Sequence, residues 1–221
     1  MNYAALVVAI SDYTENTFQT VDVNLFITQA EQRIYNSVQF PSIRKNVTGT
    51  ITASNKYLSC PDDFLAPYSL AVFSGSGPYT FLLNKDVNFI REAYPTPTDT
   101  GTPKYYALFG PTIASSLPTN ELSFILGPTP DATYSAELHY YYYPESITTV
   151  ASGQTWLGDN FDSVLLYGAL VEAYTYMKGE QDMMALYNQK YIQALALAKR
   201  LGDGMERQDA YRSGQVRAAV A

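Results

Sequence analysis

Apolar positions repeat at helical spacing near both ends of the chain and give way to short alternating runs in its middle. Between Tyr3 and about Tyr13, Leu6, Val7 and Ile10 form one stripe; between Val21 and about Gln39, Phe26, Ala30, Ile34 and Val38 step by four. This spacing predicts two helices separated by the polar stretch from Thr14 to Thr20. Pro41 stops the second, because a proline ring clashes inside a helix and cannot donate its hydrogen bond.

From about Val47 to Val150 the chain turns to runs of Thr, Tyr, Val and Ile, broken by turn sequences such as Gly75-Ser76-Gly77-Pro78 and Asp99-Thr100-Gly101. A β module is expected here. Leu122 to Leu126, the turn Gly127 to Asp131, and Tyr134 to Tyr143 read as two antiparallel strands joined by a wide turn. In the second strand Ala136, Leu138, Tyr140 and Tyr142 share one face, and Glu137, His139, Tyr141 and Tyr143 share the other. One face should pack inward.

Helical spacing then returns. Asp159 or Asn160 is the expected cap of a helix reaching Lys178, with Leu165, Ala169, Ala173 and Met177 on its stripe and Gly179 at its end. A further helix from about Gln181 to Leu201 turns Met184, Tyr187, Tyr191, Leu195 and Ala198 toward its neighbour, and Gly202 is expected to stop it. The short link makes the pair an antiparallel hairpin. Residues 203–221 carry charged, small and occasional large side chains without a sustained stripe, which predicts an extended tail that orders on a partner.

These elements define an α+β chain. An antiparallel helical bundle body is expected from residues 1–46 and 151–202, since stripes at both chain ends need each other for burial. An inserted antiparallel β module spans 47–150, and an extended C-terminal docking tail spans 203–221. No internal repeat is visible, which argues against a solenoid or propeller.

Composition narrows the function. With 47% hydrophobic and 16% charged residues, the chain is too apolar to stay disordered. The balance of 21 acidic against 14 basic residues, a net charge of -7, removes the footprint of tight nucleic-acid binding. Many copies lining a channel would instead present a negative wall past which a polyanion slides. The apolar run Ala4 to Ile10 is short and lacks the basic residues of a secretory signal, and no stretch approaches the roughly 20 apolar residues of a membrane span, so a soluble protein is expected. Twenty tyrosines and ten phenylalanines supply ample contact surface, although core and sheet positions account for most of them.

Chemistry is sparse. The one cysteine, Cys60, excludes a disulfide framework, and with the one histidine, His139, it is too few for a zinc site; a carboxylate site for calcium or magnesium is not excluded by count. His139 sits in a strand, and no Ser occupies a G-x-S-x-G elbow. Asp62 with Asp63, and Asp159 with Asp162, are the close carboxylate pairs, which turn formation and helix capping explain. Gly202-Asp203-Gly204 lacks the Lys-Ser or Lys-Thr of a phosphate loop. No catalytic, cofactor-binding or metal-ligating residue is assigned, no cofactor is expected, and the chain reads as a non-enzyme.

Basic residues concentrate at the end of this acidic chain. Lys199 and Arg200 complement a helix dipole, but Arg207, Arg212 and Arg217 lie beyond the expected helix end. Interspersed with Met205 and Tyr211, they form a candidate docking segment: Met205, Arg207, Tyr211, Arg212 and Arg217.

Two segments carry a family resemblance: Pro103-Lys104-Tyr105-Tyr106-Ala107-Leu108-Phe109-Gly110, and the run Trp156-Leu157-Gly158-Asp159-Asn160-Phe161 continuing through Leu165 to Ala173. With Met177 to Glu180, Ala185-Leu186-Tyr187, the Arg-bearing tail and, more loosely, Glu137 to Tyr141 and the opening helices, nearly the whole chain resembles head-to-tail adaptor proteins of tailed bacteriophages and prophages. These are packing and interface patterns without a catalytic signature.

The resemblance implies a virion protein of the neck, assembled in the bacterial host cytoplasm. It implies a ring of copies, commonly a dodecamer, beneath the portal protein, with a tail nozzle or tube protein on its other face. DNA passes through the lumen without sequence-specific contact, and no membrane is involved. By the same resemblance the helical body and C-terminal segment dock on the portal. The alternative is a tail-fibre or host-binding virion module, which accounts for the Tyr-rich middle but not for the helical ends. A virion-associated hydrolase acting through a carboxylate pair is weaker still.

Overall fold

A computed structural model describes residues 1–96, 98–110 and 122–212, with side chains up to Leu201. The chain divides into two compact units: Met1–Ile43 together with the chain from Tyr143, and Arg44–Tyr142. The elements are α+β, with helices from both chain ends packed together and two small sheets between them in sequence.

In the helical unit, α1 (Tyr3–Thr14) begins where the Asn2 side chain accepts from the Ala5 N–H, and ends at Glu15 in the left-handed region. Next come α2 (Thr20–Ser37) and a single 3-10 turn over Pro41–Ile43. After the β unit follow α4 (Trp156–Asn160), α5 (Asp162–Met177) and α6 (Gln181–Arg212). Helix α5 contacts α1, α2, α4 and α6, and Val164, Leu165, Leu166, Ala169, Leu170, Val171 and Ala173 are buried around its circumference. A helix apolar on most sides takes the central position because only there are all its sides covered.

Three helical expectations are corrected. Neither Asp159 nor Asn160 caps the long helix: Thr155 caps α4 by accepting from the Gly158 N–H, and α5 starts anew after Phe161. The break sits at Phe161, whose ring lies 5.2 Å from Phe40 and 5.5 Å from Trp156, so an aromatic cluster outweighs helix continuity there. The stop at Gly202 is replaced by helix as far as Arg212, and the extended chain expected from residue 203 is therefore helical over 203–212. A helical glycine costs about 1 kcal/mol, too little to end a helix already propagating through Leu, Met, Glu, Arg and Gln.

In the other unit, β1 (Arg44–Ile51), β3 (Ala66–Phe73), β4 (Thr80–Phe81) and β8 (Tyr134–Tyr141) form one sheet in the order β1-β8-β3-β4. A second sheet, in the order β2-β7-β6-β5, holds β2 (Tyr57–Ser59), β5 (Leu83–Asn84), β6 (Tyr105–Phe109) and β7 (Ser123–Gly127). Their inner faces meet in one core that includes Ile51, Leu70, Leu138 and Tyr140 from the first sheet and Tyr106, Phe124 and Leu126 from the second. The alternation expected in β8 holds, with Ala136, Leu138 and Tyr140 buried.

The strand pairing differs from the sequence expectation in two ways. β7 and β8 do not pair with each other: β8 lies between β1 and β3, while β7 lies between β2 and β6. Eight-residue β8 pairs with β1 along its whole length and with β3 from Ser135 to Tyr141, across one irregularity between Pro67 and Ser69, a match that five-residue β7 does not offer. The module is also not wholly antiparallel, because β5 pairs parallel with β6. Between them runs α3 (Val87–Ala93), capped by Asp86, the crossover that a parallel pair requires. Helix α3 covers the outer face of the second sheet through Ile90, packed on Ala107 and Ile125.

Candidate interaction surface

The C-terminal helix α6 is held by tyrosines. Tyr187 is buried, and its ring lies 4.9 Å from Tyr174 and 6.4 Å from Tyr167 on α5, and 6.3 Å from Tyr13 on α1. Burial, reinforced by a hydrogen bond with Tyr174, pushes its phenol up to about 12. One turn on, Tyr191 is buried against Gly168, where a Cβ would stand 3.1 Å from the Ala30 Cβ and 3.3 Å from the Tyr191 ring. Arg33 on α2 ion-pairs with Glu172 on α5 and places its guanidinium 5.8 Å from the Tyr191 ring centre, so three helices meet at this ring.

The last buried side chain of α6 among those described is Ala198. Helix α5 has 16 residues and runs antiparallel to α6, so it backs a similar length of it, and the part from Lys199 to Arg212 extends beyond. At 1.5 Å per residue that is about 21 Å of helix. Met205, Arg207, Tyr211 and Arg212 all fall on this extension; their side chains, and Arg217 entirely, lie outside the described residues. The helical backbone puts positions 207 and 211 one turn apart on one face, with 201, 205 and 212 on an adjoining one.

Leu197 and Leu201 are exposed at 63% and 44%, one turn apart. Sequence reasoning followed the stripe of Met184, Tyr187, Tyr191, Leu195 and Ala198 and did not single them out. The signal was present: Leu197, Leu201 and Met205 repeat every four residues straight through the glycine.

The groups with chemical potential are occupied in structural roles. Asp63 accepts from the Lys45 ammonium and from the Tyr140 hydroxyl, each at 2.7 Å. Burial pushes its carboxyl upward, but these hydrogen bonds together outweigh that and hold it below the usual carboxylate range. Asp159 lies 3.9 Å from the Met1 ammonium, and Asp162 accepts from the Ser163 hydroxyl, so the two do not act on a shared site. His139 lies on the outer face of the first sheet with Nδ1 3.4 Å from the Ser69 hydroxyl. Burial pushes the Cys60 thiol up to about 12, away from thiolate chemistry. Among the described residues no three His, Cys, Asp or Glu side chains converge as metal ligands, and no helix is long and apolar enough to cross a membrane.

Exposed aromatics mark the β unit. Arg44 lies 5.1 Å from the Tyr68 ring and 5.7 Å from that of Tyr141, on the outer face of the first sheet. At the edge of that sheet, Phe73, Tyr79 and Phe81 form a ladder, with centroids 4.5 Å and then 6.3 Å apart, and Phe81 is 69% exposed. The arrangement as a whole offers contact surfaces and a projecting helix.

Comparison with known proteins agrees in kind. A family model described as SU10 adaptor protein matches residues 1–219. No curated protein matches the chain.

Proposed function

Since the chain belongs to the SU10 adaptor protein family, we propose that it joins the head of a tailed phage to its tail by forming a ring beneath the portal protein. The adaptor role is structural and calls for no catalysis. In this reading the portal receives the C-terminal segment, with Met205, Arg207, Tyr211, Arg212 and Arg217 supplying the apolar and cationic contacts. A tail nozzle or tube protein takes the opposite face, and the ring, a dodecamer, continues the DNA channel.

The observation that supports this most is the course of α6, which leaves its helical partner and runs about 21 Å further with arginines at positions 207 and 212. Lys199, Arg200 and Leu201, where the extension begins, are exposed, and a helix running on from there gains stability from a partner surface. The net charge of -7 supports the second half of the reading, since a lumen of like sign lets DNA pass without being gripped. Copies remain separate until a portal ring templates them, because docking raises their local concentration.

The experiment is to mix purified protein with a portal ring and image the mixture by negative-stain electron microscopy, alongside a variant truncated after Gly202. A collar added at one end of the portal by the full-length chain and not by the truncated one is the expected result. Absence of added density with both chains rejects portal docking in favour of the host-binding alternative, and stable rings of the protein alone in dilute solution reject templating.

A further inference from the structure

Helix α3 is only seven residues long and packs on β6 and β7, leaving the edge strand β2 of the same sheet uncovered. Tyr57 on β2 stands opposite Ile125 on β7 and so shares its outward face, but only Ile125 is roofed by α3. The result is a step. It encloses a cleft of about 260 Å³, lined on one wall by Asn55, Lys56 and Tyr57, on the other by Ile90, Arg91 and Tyr94, with Ile125 in its lining.

The depth of this step depends on Gly127. A Cβ there would stand 2.8 Å from the Ile90 side chain and 3.0 Å from the Tyr94 ring, so the glycine lets α3 seat closely on the sheet. The volume lies below the roughly 300–1,000 Å³ of small-molecule pockets and suits one inserted side chain. Beside it, β2 is an edge strand whose outer side pairs with no strand among the described residues, as suits an extended ligand.

Charge selects the ligand. Lys56 and Arg91 stand on opposite walls, both exposed, and neither forms an ion pair with a described carboxylate, unlike Lys45 with Asp63. We propose that this cleft docks an extended acidic segment of a partner protein, an apolar side chain resting on Ile90, Tyr94 and Ile125 and flanking carboxylates meeting Lys56 and Arg91. A nucleic acid is disfavoured, since two cations on a chain of net charge -7 do not offset repulsion of a polyphosphate. The inference rests on the adaptor reading only in taking the ligand to be a protein; the cleft belongs to the β unit and is separate from α6.

The test uses the full-length chain and fluorescence anisotropy with a labelled probe peptide, Ser-Glu-Glu-Phe-Glu-Glu-Ser. A matched peptide with Lys for Glu and a single-stranded oligothymidylate serve as comparators. The expected result is saturable binding of the acidic peptide alone, weakened by salt. It should fall roughly tenfold in the double variant Lys56→Glu/Arg91→Glu and stay unchanged in Lys104→Glu, which reverses a charge outside the cleft. All altered residues are exposed, and circular dichroism verifies the fold. No saturable binding, equal binding by the double variant, or preference for the oligonucleotide overturns the proposal. Portal capture measured on the same samples separates the two readings: capture without peptide binding removes the cleft proposal and leaves the adaptor role standing.

Discussion

The Tyr140 hydroxyl donates to the Asp63 carboxylate at 2.7 Å, tying the buried face of β8 to the turn that precedes β3. The ring is 1% exposed while its hydroxyl reaches a partly exposed acid, so one residue serves both core and rim. Lys45 on β1 completes the group, and its own pKa is raised by the hydrogen bond from its side chain to Asp63.

Asp63 is expected to make stability fall in acid. A carboxylate held below its unfolded pKa of about 3.9 adds stability above that pH, and the contribution is lost as pH falls through the lower folded value. Asp63→Asn should cost about 1 kcal/mol at pH 7, with solvent screening allowed for, and should flatten this acid limb. Urea unfolding from pH 7 to pH 3 measures both effects.

Glu31 is expected to act in the opposite sense. It is 3% exposed and accepts from the Ile147 N–H at 3.0 Å; burial pushes its carboxyl up, against opposing hydrogen bonds from Ile147 and Ser146. The stability that comes from the protonated form is present below the unfolded pKa of about 4.3 and is lost as pH rises through the raised folded value. Glu31→Gln keeps an acceptor without the charge and should raise the melting temperature at pH 7. Glu31→Ala strands the Ile147 N–H and should lower stability by about 2 kcal/mol. A Gln variant less stable than the Ala variant contradicts this account.

Gly168→Ala tests the junction of α2, α5 and α6. The added methyl presses on Ala30 and Tyr191, an overpacking cost of about 2 kcal/mol against roughly 1 kcal/mol gained in helix propensity. A net loss near 1 kcal/mol is expected in urea unfolding. A net gain means that α6 gives way without strain.

At Gly202 the continuity of α6 is directly measurable. Gly202→Ala should raise helical content by far-ultraviolet circular dichroism, and Gly202→Pro should lower it while leaving the midpoint of the main unfolding transition in place. Equal spectra for the two variants are incompatible with helix on both sides of the glycine.

Cys60 should be silent to thiol reagents in the native protein at pH 8, because its thiol is pushed up to about 12 by burial. Reaction with dithiobis-nitrobenzoate is expected only after denaturant is added. Stoichiometric labelling of the folded chain means the core around Phe64 and Tyr106 opens readily.

Local pattern determined much of this protein. The four-residue spacing of Phe26, Ala30 and Ile34, the alternation of Ala136, Leu138 and Tyr140, and the end of α5 at Met177 depend on neighbours within a few residues, so they are written in the chain itself, although Lys178 and not Gly179 takes the left-handed position there. What tertiary structure decided were choices between partners of similar local merit. β8 took β1 and β3 over its sequence neighbour because of strand length, and Phe161 left the helix for Phe40 and Trp156. The cleft beside α3 exists because a seven-residue helix covers two strands of four, and Lys56 and Arg91, far apart in sequence, were recognisable as a pair only once the sheet had brought them to the same step. Spacing along a chain reports the period of an element; which faces meet depends on areas and lengths summed over the whole fold.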